Sequence, residues 1–66
     1  MTANPGGVCL MMTLSEQEAW DLAQFLKRTG FSYFRSQAVD DEEAYRMRAV
    51  AEKVRRNLVA IGYDPR

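Results

Sequence analysis

Residues 39–63 read VDDEEAYRMRAVAEKVRRNLVAIGY, and this stretch decides the fold. Met47, Ala51, Val54, Leu58 and Ile61 recur at alternating steps of four and three residues, with Val50 widening the stripe. That spacing marks one face of an α-helix. Both ends carry punctuation. Asp40 followed by Glu43 has N-cap spacing, at which a carboxylate accepts a hydrogen bond from the amide three residues on. Val39 and Ala44 stand where a hydrophobic staple closes. At the far end Gly62 supplies a left-handed stop, Tyr63 folds back on the last turn, and Pro65 prevents continuation. The predicted helix covers about 40–61 and is roughly 30 Å long.

The preceding segment uses the same grammar. Ser15 and Glu18 have capping-box spacing, with Leu14 and Ala19 as the staple pair. Ala19, Leu22, Ala23 and Leu26 form the apolar stripe of a helix over about 15–29. Lys27 and Arg28 suit its carboxyl-terminal dipole. Gly30 is expected as the left-handed residue that ends it, with Phe31 packing back. The two openings, Leu14 to Ala19 and Val39 to Ala44, match position by position, and shared capping rules account for this without a duplication. Between the helices, residues 31–39 form an aromatic connector. Ser32 is placed to cap a short helical turn carrying Phe34 and Ala38, Phe31 and Phe34 fill the gap between the helices, and Tyr33 and Arg35 point outward.

Toward the amino terminus the pattern weakens. Residues 1–7 have no periodicity, end in two glycines, and read as a flexible lead-in. In residues 8–14, Val8, Leu10, Met12 and Leu14 alternate with Cys9, Met11 and Thr13, as in a short strand. A lone strand leaves its backbone groups unpaired, and no other segment reads as a strand. Residues 8–14 are therefore either a strand paired across a homodimer or an extended arm. The expected fold is mainly α: a single small domain over 8–66, built as an antiparallel helical hairpin with an aromatic connector and an amino-terminal strand or arm.

Composition narrows the function. A chain of 66 residues buries only about 60% of its unfolded surface, so its core is marginal. One cysteine and no histidine rule out an internal disulfide and leave zinc without a ligand set. Regular helix packing, a partner, or both must supply the stability. Hydrophobic residues at 47% and charged residues at 27% fit a folded domain. Nine basic and nine acidic residues cancel, which argues against nucleic-acid binding and against docking on anionic membranes. Residues 1–7 hold no cationic side chain and the apolar run 8–12 is too short for a signal core or a span. A lone cysteine fits a reducing compartment, so the cytoplasm is expected.

No enzymatic activity, cofactor or metal is expected. Cys9 has no histidine to activate it. The acidic run 40–43 lacks the spaced ligands and central glycine of a calcium loop and is accounted for by the helix dipole. Arg46, Arg48, Lys53, Arg55 and Arg56 scatter around the polar surface of the second helix. Glu42 is spaced to pair with Arg46, and Glu52 with Arg56 or Arg48. The aromatics say more. With Leu22 and Leu26 at the centre of the first helix's buried face, Trp20 and Phe25 fall to opposite sides, and Tyr45 falls on the polar side of the second. Aromatics and arginines outside a small core are the material of binding hot spots. The candidate partner-binding residues are thus Trp20, Phe25, Tyr33, Arg35, Tyr45 and Arg48, and the expected partner is a protein, with a homodimer as one form.

Two resemblances bear on this. Met12-Thr13-Leu14-Ser15-Glu16, then Ala19, Leu22, Leu26 and Lys27-Arg28-Thr29-Gly30, resemble the strand end and first helix of ribbon-helix-helix repressors. That likeness implies a dimeric DNA-binding regulator. Cys9, Met11 and Thr13, or Val8, Leu10 and Met12, would then face the bases, and neither set suits base readout. A likeness over more of the chain is carried by Leu14-Ser15, Glu18-Ala19, Leu22-Ala23, Leu26-Lys27-Arg28, Gly30-Phe31, Ala38-Val39-Asp40-Asp41, Glu43-Ala44, Met47-Arg48 and Gly62-Tyr63-Asp64-Pro65-Arg66. These look like a small family of uncharacterised bacterial proteins associated with plasmids, prophages and other mobile elements. The resemblance implies an accessory protein, in a class that includes anti-CRISPR inhibitors of host defence, and it assigns no catalytic or binding residue.

Overall fold

The computed structural model describes residues 6–65 and is mainly helical. Three helices are arranged in chain order: α1 (Glu16–Arg28), α2 (Phe31–Gln37) and α3 (Asp41–Ala60). The described residues contain no strand, and residues 7–15 precede α1 without regular structure, exposed except for Leu14, which packs against the core. Of the two readings of residues 8–14, the single chain therefore adopts the arm. The expected lead-in over 1–7 falls mostly outside the described residues.

The capping chemistry fixes α1. The Ser15 hydroxyl accepts from the Glu18 amide at 3.1 Å, and the Glu18 carboxylate accepts from the Ser15 amide at 2.8 Å. The carboxyl end departs from expectation. Thr29 caps it: its amide and its hydroxyl both donate to the Phe25 carbonyl, at 3.0 and 2.5 Å. Gly30 is not left-handed; its φ is −103°, and it serves as the extended N-cap of α2. The reason is spacing. A new helix begins at Phe31, so Gly30 has to start one element rather than close another, and its carbonyl accepts from Tyr33 and Phe34. Ser32 consequently lies inside α2 and does not cap it.

At α3 the Asp40 carboxylate accepts from the Glu43 amide at 2.8 Å, while Glu43 reaches back to the Val39 amide at 2.8 Å. Val39 itself is exposed, so no staple closes over Ala44 here. Ala44 is fully buried all the same, and α2 packs along this end of α3, where Phe31 meets Tyr45. The far end forms a Schellman motif: the Gly62 amide donates to Val59, the Tyr63 amide donates to Leu58, and Gly62 takes a φ of 107°.

α3 is the spine, with α1 and α2 each packed along it. Ala19 and Ala23 of α1 meet Leu58 near the end of α3, while Leu26 lies by Met47 and Ala51. The two chain directions are therefore opposed, and the hairpin is antiparallel. After Gly62 the chain turns back along α1. Tyr63 sets its ring 4.9 Å from that of Trp20, the Lys27 ammonium donates to the Pro65 carbonyl, and Pro65 is buried. Trp20 and Lys27 are seven residues apart and share one face of α1, so the tail covers that face.

The buried hydrophobic core is small, comprising Ala19, Ala23, Ala44 and Leu58. Alanines let helix backbones approach closely but contribute little apolar area. The molecule measures 35 × 33 × 15 Å, and the last dimension is little more than one helix with its side chains at about 10–12 Å. The helices form one layer. The radius of gyration is 13.5 Å, against about 11 Å for a compact chain of this length.

Candidate interaction surface

A single layer has two faces, and they differ. One face carries the returning tail, with Trp20 against Tyr63, and a second aromatic contact in which the Tyr45 ring lies 4.7 Å from Phe31. The other face is an open apolar groove. Phe25 and Leu26 of α1, Phe34 of α2, and Met47, Val50 and Ala51 of α3 line it, with Glu43 and Arg46 at its polar edge.

The groove continues along α3. At about 100° per residue, Val50, Val54 and Ile61 fall within about 40° of one another, and their line lies about 80° from the line through Ala44, Ala51 and Leu58. The second line faces the protein's own helices. The first does not: Val50 is 60% exposed and Ile61 71%. Another exposed apolar set sits on the arm, where Val8, Leu10, Met11 and Met12 are largely in solvent and Met11 reaches 93%. Cys9 is exposed among them.

The sequence-derived candidates do not form one surface. Trp20 belongs to the tail contact and Tyr45 to the Phe31 stack. Arg35 is held by the Asp41 carboxylate at 2.6 Å and the Ala38 carbonyl at 3.1 Å, which fixes the elbow between α2 and α3. Arg48 stands exposed. Phe25 and Tyr33 come together edge to face, with centroids 6.3 Å apart, on the wall of a shallow cleft at the α1–α2 elbow. Asp21, Gln24 and Arg28 share that cleft. They supply charge and hydrogen bonding, with the hydroxyls of Thr29 and Ser32 beside them. Of the six candidates, Phe25 alone also lines the open groove. Val54, Ile61 and the arm are not among the candidates that the sequence pattern singles out. Their signal is nonetheless present, because residues 47, 50, 54, 57 and 61 step by three and four on their own.

The ion pairs also differ from expectation. Glu52 reaches Arg55 at 3.6 Å rather than Arg56 or Arg48, and no Glu42–Arg46 pair forms among the described residues. Exposed pairs of this kind contribute only about 0.3–0.5 kcal/mol, so little holds a chosen geometry. Among the described residues no group of three acidic or cysteine side chains is placed to hold a metal ion. No helix there is long and apolar enough to cross a membrane.

The chain belongs to DUF7706, a family of unknown function. The match spans residues 1–66 and so takes in the arm, the three helices and the returning tail together. No curated protein and no solved structure matches the chain. Membership of DUF7706 thus names a lineage and leaves the function to be argued from the surface.

Proposed function

We propose that this chain is a non-catalytic protein-binding module. The observation that carries the reading is surface area. The chain exposes 5590 Å², whereas a compact monomer of 7.6 kDa exposes about 4,300 Å². The excess, about 1,300 Å², exceeds the roughly 800 Å² that each partner contributes to a standard protein–protein interface. Much of what is exposed is apolar and grouped in two places, the arm and the open flank of α3. Contiguous apolar surface of this kind marks interaction sites. The chain's one exposed thiol has no imidazole to activate it, which fits a binding role.

The arm is the part suited to a foreign partner. It is unstructured, apolar and rich in methionine, whose flexible thioether side chain adapts to an irregular surface. The resemblance to mobile-element proteins supplies a setting: an inhibitor that occludes a surface of a host defence complex needs a binding segment and no catalytic group. A ribbon-helix-helix regulator would instead require the arm to be a paired strand carrying polar side chains toward DNA.

The test is co-purification from a bacterial host with tagged wild-type chain and with Leu10→Asp/Met11→Asp. A partner retained by the first and released by the second supports the reading, provided both chains show the same helical circular dichroism. Equal recovery by both removes the arm as the binding segment. Duplex DNA binding with a steep salt dependence would favour the regulator instead.

A further inference from the structure

The buried stripe of α1 runs through Ala19, Ala23 and Leu26. At about 100° per residue the opposite side of the helix carries Asp21, Gln24, Phe25 and Arg28. Asp21 and Arg28 stand about 20° apart around the helix and about 10.5 Å apart along it, with Gln24 and Phe25 flanking the line between them. Asp21, Phe25 and Arg28 are exposed and Gln24 is half-buried. Together they form the α1 wall of the cleft at the elbow.

Neither charge is matched within its own helix. A helical ion pair needs a spacing of three or four residues. Positions 17, 18, 24 and 25 around Asp21 hold no cation, and positions 24, 25, 31 and 32 around Arg28 hold no acid. Among the described residues no ion pair reaches either one, whereas on α3 Glu52 finds Arg55 within a turn. The Asp21 carboxylate accepts from the Gln17 amide at 3.0 Å, which holds it on this face.

Reversed end to end, the patch meets its own complement. We infer that α1 pairs through this patch with α1 of a second copy of the chain, antiparallel about a two-fold axis between residues 24 and 25. Asp21 then faces the partner's Arg28 at both ends, and Gln24 faces the partner's Phe25 at the centre.

Charge complementarity at the patch selects a second copy as the occupant. A two-fold interface is isologous, so a surface docks on itself only where rotation brings each group to its complement. Two like charges at positions 21 and 28 would repel in this arrangement, while one acid and one base attract twice. Between them Phe25, 52% exposed, gives an apolar centre with a polar rim, the usual anatomy of an interface. Tyr33, edge to face with Phe25, widens that centre. A foreign partner would ask for no such symmetry in this chain. The contact is modest in extent and its ion pairs lie near solvent, so the dimer is expected to be weak and salt-sensitive. The inference goes beyond the reading of the arm as a binding segment and does not rest on it, since the patch shares no residue with the arm.

The experiment is sedimentation equilibrium of the full chain with Asp21→Arg, Arg28→Asp, an equimolar mixture of the two, and the double swap. At low salt the wild type is expected to associate toward twice 7.6 kDa. Association should weaken about tenfold at an ionic strength of about 0.5 M. Each single variant sets like charges against each other at both contacts and should associate about tenfold or more weakly than the wild type. In the mixture two bases on one chain meet two acids on the other, so a heterodimer should form at least as readily as the wild-type dimer. The double swap should also recover. Both positions are exposed, helical circular dichroism checks the fold, and mixing does not repair a misfolded chain. A wild type that stays monomeric at about 1 mM in low salt overturns the inference. So do single variants that associate like the wild type, or a mixture no stronger than its components. Leu10→Asp/Met11→Asp should still dimerise; if it is monomeric while the charge variants pair, the contact runs through the arm and the inference falls. Capture of a foreign partner is read separately by co-purification and stands or fails on its own.

Discussion

The two seams of α3 run along one helix and are built differently. The covered seam places Ala44, Ala51 and Leu58 toward α1 and α2; the open seam places Val50, Val54 and Ile61 toward solvent. Where the chain packs on itself α3 uses two alanines and one leucine, so backbones come close and little area is buried. Where it faces outward it keeps the larger, stiffer side chains. A helix free to choose at solvated positions takes alanine, glutamate or lysine. The difference teaches that the chain leaves larger apolar groups of α3 outside its own small core.

Substitutions in the two seams should separate cleanly. Leu58 is the one large side chain in the core, so Leu58→Ala is expected to cost about 3 kcal/mol, independent of protein concentration. Urea denaturation followed by circular dichroism reads this directly. In a domain this small, such a loss leaves much of the population unfolded at ambient temperature. Val50→Ala is expected to cost less than about 0.5 kcal/mol, because Val50 is 60% exposed. A cost as large as that of Leu58→Ala would mean that Val50 packs within the chain and the two seams are not distinct.

Smaller effects concern the turns that hold the layer together. Gly62 lies in the left-handed region at the end of α3, where a side chain is strained. Gly62→Ala should lower stability by about 1 kcal/mol and loosen the Trp20–Tyr63 contact, seen as a shift in tryptophan fluorescence. The two helix openings make a finer comparison. Ser15→Ala should cost about 1 kcal/mol because it removes a formed capping box. Val39→Ser should change stability by less than about 0.5 kcal/mol, since Val39 closes no staple. A loss at Val39 as large as that at Ser15 would mean the staple forms in solution.

These contrasts also mark what is legible in the residues. The capping box at Ser15 and Glu18, the Asp40 cap and the Gly62 stop are local chemistry, written within four or five positions, and the structure has all three. Gly30 has the same local signature as Gly62 but is governed by the next element: α2 begins at once, and the glycine opens that helix. Helical spacing places Trp20 and Phe25 on opposite sides of α1, yet which side is covered depends on a tail some forty residues away in the chain. The open seam is harder still. A stripe containing Met47, Val50, Ala51, Val54, Leu58 and Ile61 reads as one wide apolar face, and periodicity alone does not reveal which part of it the chain itself covers.

The most direct test of the two seams is paramagnetic relaxation of the methyl groups by a soluble agent, which reports what solvent reaches. Strong broadening of the Val50 and Ile61 methyls with protection of Leu58 is the predicted result. Equal protection of all three would contradict it.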